Sequence, residues 1–309
     1  MTNNNSMMCD LETGICGPAG EGNTEMELID LTVPSKKVDL YYVTDPICSH
    51  CWALEPTLRK FMEEYGQYVN LHTLMGGMLE KWDGFADVSN GISGPGDVAG
   101  HWREVGEHTR MPIDGSFWFE DPVTSSYIPS RVYKVVQQKD ASLAPVFLRK
   151  TREAVFPFNK NISNDQLLID IVDSIGLNGE EIVKESHLPA AQESLQEDFI
   201  MASRLGVRGF PTIIFLNEEQ KGVKVVGARS FDYYVQALKQ ILPDDNIQPK
   251  TPNTLQSVLQ KEGLLFSREI EELYNLAQQD VATFVEKELV ADSYEVKEFL
   301  GEKYIKLNQ

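Results

Sequence analysis

Basic residues are scarce in this sequence relative to acidic ones. Its 309 residues include 28 Lys and Arg against 47 Asp and Glu, which gives a formal net charge of −19 at pH 7. A chain this acidic is repelled by phosphate backbones, so we expect no nucleic-acid partner. Cysteine is scarce as well, because four cysteines in a chain of this length are too few for a disulfide-stapled scaffold.

Long apolar runs are also lacking. The longest apolar clusters, such as residues 211–216, have the length of a strand, far short of the roughly 20 residues that a membrane-spanning helix needs. The first thirty residues contain neither the basic nor the apolar region of a secretory signal. We therefore expect a cytoplasmic protein without a membrane partner. The 42% hydrophobic and 24% charged residues are normal for a globular chain.

The order of the sequence patterns predicts an α/β, thioredoxin-like fold with a large helical insertion. A strand at 37–44, an amphipathic helix at 53–65 and a strand at 69–75 come first. A hairpin pattern at 212–226 and a helix at 230–242 come last. The stretch between these two halves is mostly helical in spacing, so the predicted core is split in the sequence.

Four segments follow from these patterns, and the last of them is a small C-terminal helical extension. They are an irregular leader at 1–35, a thioredoxin-like core at 36–84 and 206–243, an inserted helical domain at 85–205, and a helical appendage at 250–309. Acidic residues outnumber basic ones in the appendage, which argues against DNA binding. It is either a module that contacts another protein or a cap that docks on the main domain.

The motif Cys48-Ser49-His50-Cys51 lies between a predicted strand and a predicted helix. A thiol at a helix N-terminus faces unpaired backbone N–H groups and the positive end of the helix dipole, and both favour the thiolate. We therefore predict that Cys48 has a lowered pKa and is the nucleophile, and that Cys51 is the resolving thiol. His50 would stabilise the thiolate further, which makes such a couple more oxidising.

Two other interpretations of the cysteines stay open. The pair Cys48 and Cys51 could be half of a zinc site completed by Cys9 and Cys16, although the spacing of the latter two is unlike that of a zinc knuckle. The motif could also be incidental. Cys9 and Cys16 themselves are either auxiliary thiols, which the intervening turn could bring within disulfide range, or ordinary thiols. We predict no metal and no cofactor.

A second motif, Gly209-Phe210-Pro211-Thr212, stands immediately before a predicted strand. In thioredoxin-like folds the equivalent proline is cis and faces the CxxC motif, where the neighbouring backbone pairs with an extended substrate. We therefore predict a cis bond between Phe210 and Pro211, although only about 5–6% of X-Pro bonds are cis. Phe210, Thr212 and Trp52 are the predicted substrate contacts.

Several segments resemble the DsbA-like branch of the thioredoxin superfamily. They are residues 45–56 (DPICSHCWALEP), 207–212 (VRGFPT), 117–127 (FWFEDPVTSSY) and 147–149 (FLR), with the large insertion between the two motifs. They are similar to two groups in particular, the FrnE-like dithiol–disulfide oxidoreductases and the YjbH (SpxH) group. The resemblance covers about residues 36–243. The region at 250–309 is similar to YjbH members, which also extend beyond the thioredoxin fold.

The resemblance implies roles for three residues and two functions. Cys48 matches the nucleophile, Cys51 the resolving cysteine and Pro211 the cis-proline. One implied function is a cytoplasmic thiol–disulfide oxidoreductase or isomerase acting on protein or peptide thiols and disulfides. The alternative is an adaptor that binds the redox regulator Spx and presents it to the ClpXP protease. The set of Cys48, His50, Cys51 and Pro211 favours the enzyme, because an adaptor would not require it.

Overall fold

The computed structural model describes residues 8–9, 16–17, 37–85, 87, 91–242 and 247–308, and the chain divides into two units, Met1–Ser35 and Lys36–Gln309. In the first unit, strands β1 (Met8–Cys9) and β2 (Cys16–Gly17) pair antiparallel, with Cys9 opposite Cys16 in register. The side chains of these two cysteines and the rest of the predicted leader lie outside the described residues, so the auxiliary-thiol interpretation stays a prediction.

The second unit contains two sheets and the helices that cover them. The strands are β3 (Val38–Thr44), β4 (Val69–Met75), β5 (Thr212–Leu216), β6 (Gly222–Val226), β7 (Leu264–Phe266), β8 (Tyr294–Phe299) and β9 (Glu302–Leu307). The helices are α1 (Ser49–Ala53), α2 (Glu55–Tyr65), α3 (Pro95–Thr109), α4 (Tyr127–Lys139), α5 (Ala144–Val155), α6 (Asp165–Ser174), α7 (Gly179–Ser186), α8 (Pro189–Arg204), α9 (Phe231–Ile241), α10 (Leu255–Glu262), α11 (Ser267–Tyr274) and α12 (Val281–Glu288).

The central sheet has the strand order β4-β3-β5-β6. Strand β3 pairs parallel with β4 and antiparallel with β5, and β5 pairs antiparallel with β6. Because β3 is covered on both faces, its sequence VDLYYVT is nearly continuous in apolar residues. Helices α2 and α9 pack on one face through Phe61 and Leu238, and α8 packs on the other through Ala202. This arrangement confirms the predicted thioredoxin-like fold.

The helix after the CxxC motif is broken where the sequence predicted one continuous segment. Helix α1 begins at Ser49 and ends at Ala53, and α2 begins at Glu55. Pro56 stands at the start of α2 and has no backbone N–H to donate to the carbonyl of Trp52. The break therefore gives the motif a short helix of its own at the end of β3.

Helices α3 to α8 form the insertion between β4 and β5, as predicted. They share an apolar core with the CxxC helix, because Trp52 belongs to the same cluster as Trp102, Phe147 and Phe156. The insertion therefore covers one side of the motif with side chains that are distant in sequence.

The C-terminal extension, residues 255–307, contains the helices α10, α11 and α12 and also a sheet that the sequence patterns did not predict. This sheet is antiparallel with the order β7-β9-β8. Its strands are difficult to recognise in the sequence, because β7 has only three residues and no residue of β8 is buried. A tight turn through Leu300 and Gly301, both with positive φ, joins β8 to β9.

None of the described helices is long and apolar enough to cross a membrane.

Candidate functional site

Cys48 occupies the N-cap position of α1, as the sequence predicted. Its backbone is extended, and its Sγ accepts a hydrogen bond from the backbone N–H of Cys51 at 3.2 Å. Both cysteines are free thiols and both are buried, with 3% of Cys48 and none of Cys51 exposed. The two side chains thus meet at the end of β3, within reach of each other.

The electrostatics of the pair differ from the prediction that Cys48 has the lower pKa. Burial raises the pKa of the Cys48 thiol, and the adjacent Cys51 raises it further. Burial also acts to raise the pKa of Cys51, but the hydrogen bond from Cys48 and the nearby Arg152 cation outweigh it, so this pKa is lowered. The helix of only five residues offers a weak dipole, and desolvation prevails at Cys48.

A cavity of about 710 Å³ opens beside Cys48. Cys48 and His50 border it on one side, and Gly209 and Phe210 border it on another. Its remaining lining is largely apolar and includes three tryptophans, Trp82, Trp102 and Trp118. A substrate that enters this cavity meets Cys48 first, because the Cys51 side chain is fully buried.

The peptide bond between Phe210 and Pro211 is cis, which confirms the prediction. Phe210 lies so close to the end of β4 that a Cβ atom added to Gly76 would stand 2.1 Å from the Phe210 Cε1 atom. The structure corrects the prediction for Thr212. This residue is fully buried and its Oγ1 donates to the carbonyl of Gly209 at 2.8 Å, so it supports the loop from inside.

Trp52 does not face the cavity either. Its side chain is fully buried, and its Nε1–H donates to the carbonyl of Pro112 at 3.0 Å. The ring stacks on Phe156, is met edge-on by Phe266, and lies 4.8 Å from the Arg149 guanidinium carbon. The structure therefore places Trp52 in the core as a support of α1 rather than as a direct substrate contact.

His50 lies at the exposed start of α1, with its ring centroid 5.6 Å from that of His101. Partial burial, together with the neighbouring His101 and His108, lowers the pKa of His50. The neutral imidazole is therefore favoured at neutral pH, which leaves hydrogen bonding as the way in which His50 can act on a thiolate.

Two buried charged groups beneath the motif were missed by sequence reasoning. The Asp45 carboxylate accepts hydrogen bonds from the backbone of Ile47 and Met78 and from the Ser126 hydroxyl, and burial raises its pKa. Arg152 of α5 is fully buried and contacts the carbonyl of Asp45 at 3.3 Å. A signal for Arg152 existed in the sequence, because it stands one turn from both Leu148 and Phe156 on the buried face of α5, and a buried charge there requires partners.

A line of ion pairs joins the back of the CxxC region to the C-terminal extension, and we call it the charge seam. The cations lie on the main domain and the carboxylates on the extension, and several of the carboxylates are almost completely buried. The pairs are Arg59–Glu262 at 2.6 Å, Arg59–Glu269 at 3.3 Å, Arg149–Glu269 at 2.8 Å, Arg110–Glu271 at 2.8 Å and Arg110–Glu302 at 2.7 Å.

The part of the chain that the structure describes contains no group of three or more side chains that could hold a metal ion. The zinc interpretation required Cys9 and Cys16 together with Cys48 and Cys51, and the first two side chains lie outside the described residues. What the described site offers chemically is a dithiol, one member of which borders a cavity next to a cis-proline loop.

Comparison with known proteins gives a consistent assignment. The profile of a thioredoxin family matches residues 41–236. The ClpXP adapter protein SpxH of Halalkalibacterium halodurans is 32% identical over 276 residues, covering 88% of this chain and 88% of the relative. The SpxH protein of Bacillus subtilis is 30% identical over 258 residues, covering 82% of this chain and 84% of the relative.

Solved structures share the fold at lower identity. A putative protein disulfide isomerase from Nitrosomonas europaea superposes with a TM-score of 0.54 at 18% identity, over 67% of this chain and 97% of the other. The cytosolic disulfide reductase DsbM from Pseudomonas aeruginosa gives 0.51 at 19% identity, over 66% and 95%. At these identities the likeness concerns the fold alone.

Proposed function

The chain belongs to the thioredoxin family and to the SpxH family of ClpXP adapters, and from this premise we propose that it binds a client protein and presents it to ClpXP. The observation that carries the proposal is the 32% identity over 88% of both chains. That match is longer than the thioredoxin segment at 41–236, so it includes sequence outside the thioredoxin core. The client implied by the sequence resemblance is Spx.

The domain organisation that goes with this proposal is a core at 36–84 and 206–243, an inserted domain at 85–205 and an extension at 250–309 that docks on the main domain. The net charge of −19 fits protein partners better than nucleic acid. The setting proposed for this function is the cytoplasm, where thiols are kept reduced.

Reconstituted degradation tests the adaptor function. Purified ClpXP and Spx are incubated with ATP, with and without this chain, and the loss of Spx is followed over time. We expect the chain to accelerate the loss of Spx severalfold and not that of an unrelated ClpXP substrate. An unchanged rate for Spx would refute the proposal.

A second candidate function is thiol–disulfide exchange at Cys48 and Cys51, and a specific observation favours it. Cys48 caps α1 and borders the same cavity as Phe210 of the cis-proline loop. In this reaction Cys48 first loses its thiol proton to solvent and then attacks a client disulfide, a mixed disulfide forms, and one client thiolate leaves. Cys51 then attacks Cys48 and releases the second client thiolate, so the client is reduced and the Cys48–Cys51 pair is oxidised.

A double variant of the two cysteines separates the two functions. Cys48→Ala with Cys51→Ala removes the exchange reaction entirely but leaves the surfaces of the chain unchanged. If it still accelerates Spx degradation, the thiols are dispensable for delivery. Turnover of a protein disulfide by the unmodified chain with a dithiol reductant, absent in the double variant, would support the exchange function, and the lack of any turnover would refute it.

A further inference from the structure

The cavity beside Cys48 has walls with few polar atoms. Its volume of about 710 Å³ lies in the range of pockets that hold a small ligand or a few side chains of a peptide. Besides the three tryptophans, the apolar residues Leu79, Phe85 and Val98 line it. An occupant must therefore be apolar over most of its surface, because it gives up water on entry and finds few polar partners.

Trp118, one of the three tryptophans, has a buried indole N–H without an acceptor. Its side chain is 2% exposed, and its Nε1 atom has no hydrogen-bond partner among the described residues. Trp82 lines the same cavity, but its Nε1–H donates to the carbonyl of Val123 at 2.8 Å. Since an unsatisfied buried donor is destabilising, an occupant that brings an oxygen acceptor to Trp118 would be stabilised.

Packing holds the Trp118 ring in place. It meets the rings of Trp82 and Trp102 almost at right angles, with centroid distances of 5.9 and 5.0 Å, and Phe117 lies 4.8 Å away on the same measure. One N–H in apolar surroundings can satisfy a neutral carbonyl, whereas a buried carboxylate requires several donors or a countercharge. The acceptor that fits is therefore a neutral oxygen such as that of a peptide carbonyl.

Positive charge is available at the border of the same cavity. Arg208 stands two residues before Phe210, is exposed, and makes no ion pair with any described residue. His50 and His101 also line the cavity, and Asp87 supplies the one carboxyl group among the described lining residues. On a chain with a net charge of −19, this is a local excess of basic groups. An acidic residue of an occupant would find its partner in Arg208.

We propose that this cavity is the subsite that selects the client of Cys48, and that it takes a large apolar residue next to the client's cysteine. This inference rests on the proposed exchange function and names its substrate class. Trp118 donates its N–H to a peptide carbonyl of the client inside the cavity, and Arg208 pairs with an acidic residue outside it. The substrate is therefore a peptide disulfide in which an apolar and an acidic residue flank the cysteine.

Trapped mixed disulfides measure this preference. The full-length chain carrying Cys9→Ser, Cys16→Ser and Cys51→Ala retains Cys48 as its single thiol. It is equilibrated with the mixed disulfide of a cysteine peptide and mercaptoethanol, in excess mercaptoethanol. Cys48 loses its proton to solvent and its sulfur bonds to the peptide sulfur, while mercaptoethanol leaves as a thiolate and takes up a proton. Intact mass gives the fraction of chain that carries the peptide.

Two peptide comparisons test the substrate class. We expect peptides with leucine beside the cysteine to give an equilibrium constant about tenfold or more above that of alanine peptides. Glutamate on the other side of the cysteine should exceed lysine by about 2–5-fold, and Arg208→Gln should abolish this second preference alone. Equal constants for leucine and alanine would overturn the subsite. A preference for glutamate that survives Arg208→Gln would exclude the ion pair.

A pair of probes tests the N–H of Trp118. Alkyl thiols of several lengths are compared in pairs, one with a ketone carbonyl and the other with a methylene group in its place. We expect Trp118→Phe to lower the ketone-to-methylene ratio of the constants by about 2–10-fold at the best length. Trp82→Phe is the matched control, because the N–H that it removes already donates to Val123, so its ratio should stay unchanged. If Trp118→Phe leaves the ratio unchanged, its N–H does not contact the occupant.

Failure of this inference is distinguishable from failure of the exchange function. Mixed disulfides that form equally with all peptides would support exchange and overturn the subsite. If Cys48 forms none with any peptide or probe, exchange is refuted. Probes with a methyl group in place of the thiol, titrated by tryptophan fluorescence, then decide whether the cavity binds them and whether Trp118 distinguishes the ketone.

Thermal unfolding monitors the folding of Trp118→Phe. If this variant fails to fold, the benzothiophene analogue of tryptophan is incorporated at the same position, since it keeps the ring shape and lacks the N–H. The same fall in the ketone-to-methylene ratio is expected, and an unchanged ratio would again exclude the contact.

Discussion

Gly76 lies directly beneath the ring of Phe210, at the point where β4 ends beside the cis-proline loop. The Cβ of an alanine at this position would meet the Phe210 ring at 2.1 Å, so the ring would have to move. We expect Gly76→Ala to displace Phe210, to lower the free energy of unfolding by about 1–3 kcal/mol through overpacking, and to change the rate of Cys48 alkylation. Chemical denaturation and a thiol-reactive probe measure the two effects.

Gly100→Ala is the matched control for this substitution. Gly100 lies within α3, and a Cβ added there meets nothing within 4 Å. We expect this variant to be more stable than the unmodified chain by roughly 0.5–1 kcal/mol, because alanine has the higher helix propensity. Equal behaviour of Gly76→Ala and Gly100→Ala would show that the contact with Phe210 is unimportant.

Single residues differ in how well the sequence predicts them. The capping position of Cys48 follows from local order, because its motif stands between a strand and a helix. The cis bond before Pro211 likewise follows from a motif that stands immediately before a strand. The pKa direction of Cys48 and the burial of Trp52 and Thr212 do not, because they depend on which distant side chains remove water from these positions.

Helix α11 is held to the main domain by Glu269, which is fully buried. Its carboxylate binds Arg149 through two hydrogen bonds, contacts Arg59, and accepts the backbone N–H of Phe266. We expect Glu269→Gln to lower the free energy of unfolding by about 3–5 kcal/mol, because it leaves two buried guanidinium groups without their common partner. Urea denaturation measures the change.

The neighbouring residue on the same helix provides the control. Glu272 pairs with Arg268 one turn away, and both side chains are partly exposed. For Glu272→Gln we expect a loss of only about 0.2–0.5 kcal/mol. If the two substitutions lower the free energy of unfolding by the same amount, the buried ion pairs of the charge seam stabilise the fold no more than an ordinary surface pair does.

Glu262, at the end of α10, gives the seam a pH dependence. Burial acts to raise the pKa of this carboxyl, but Arg59 outweighs it and the pKa is lowered from 4.5. A carboxylate with a depressed folded-state pKa stabilises the fold above its unfolded-state pKa, and this contribution disappears as pH falls through the folded-state value. We expect Glu262→Gln to be less stable than the unmodified chain at pH 7, with a gap that narrows below about pH 4.5.

Denaturation series across this pH range compare the two chains. If the difference in the free energy of unfolding between the two chains stays constant as the solution is acidified, the charge of Glu262 does not contribute to stability.

Elements were predicted well where their periodicity is long and poorly where it is short. Helices α2 and α9 have more than two turns of apolar spacing. Strand β7 has three residues between two helices, and β8 and β9 mix charged with apolar residues on a small sheet. Short segments of this kind are stabilised mainly by their pairing, which the local pattern does not contain.

Residues Lys36–Gln309 form one compact unit. Within it, the C-terminal extension contacts the main domain through the charge seam and through the packing of Phe266 against Trp52. We expect this unit to unfold in a single cooperative transition in which the calorimetric and van't Hoff enthalpies agree. Glu269→Gln should move the entire transition to lower temperature. An earlier, separate transition of residues 255–307 in hydrogen exchange would contradict this expectation.

At the scale of the molecule, the fold class and the helical insertion could be predicted because strands and helices follow one another in a recognisable order. The docking of the extension could not, since it depends on pairs such as Arg59 and Glu269, which are 210 residues apart. Nothing in the spacing of either residue indicates the other.

The charge seam also sets an order of events during synthesis. The 210 residues between Arg59 and Glu269 take a ribosome about 10–40 s to add, at about 5–20 residues per second. Throughout that interval Arg59 lacks its carboxylate partners Glu262 and Glu269, and Trp52 lacks its contact with Phe266. A nascent chain that stalls or is cleaved before Phe266 keeps this surface exposed, and exposed apolar surface makes incomplete chains prone to aggregation. Synthesis of the C-terminal extension is therefore the step that covers Arg59 and Trp52.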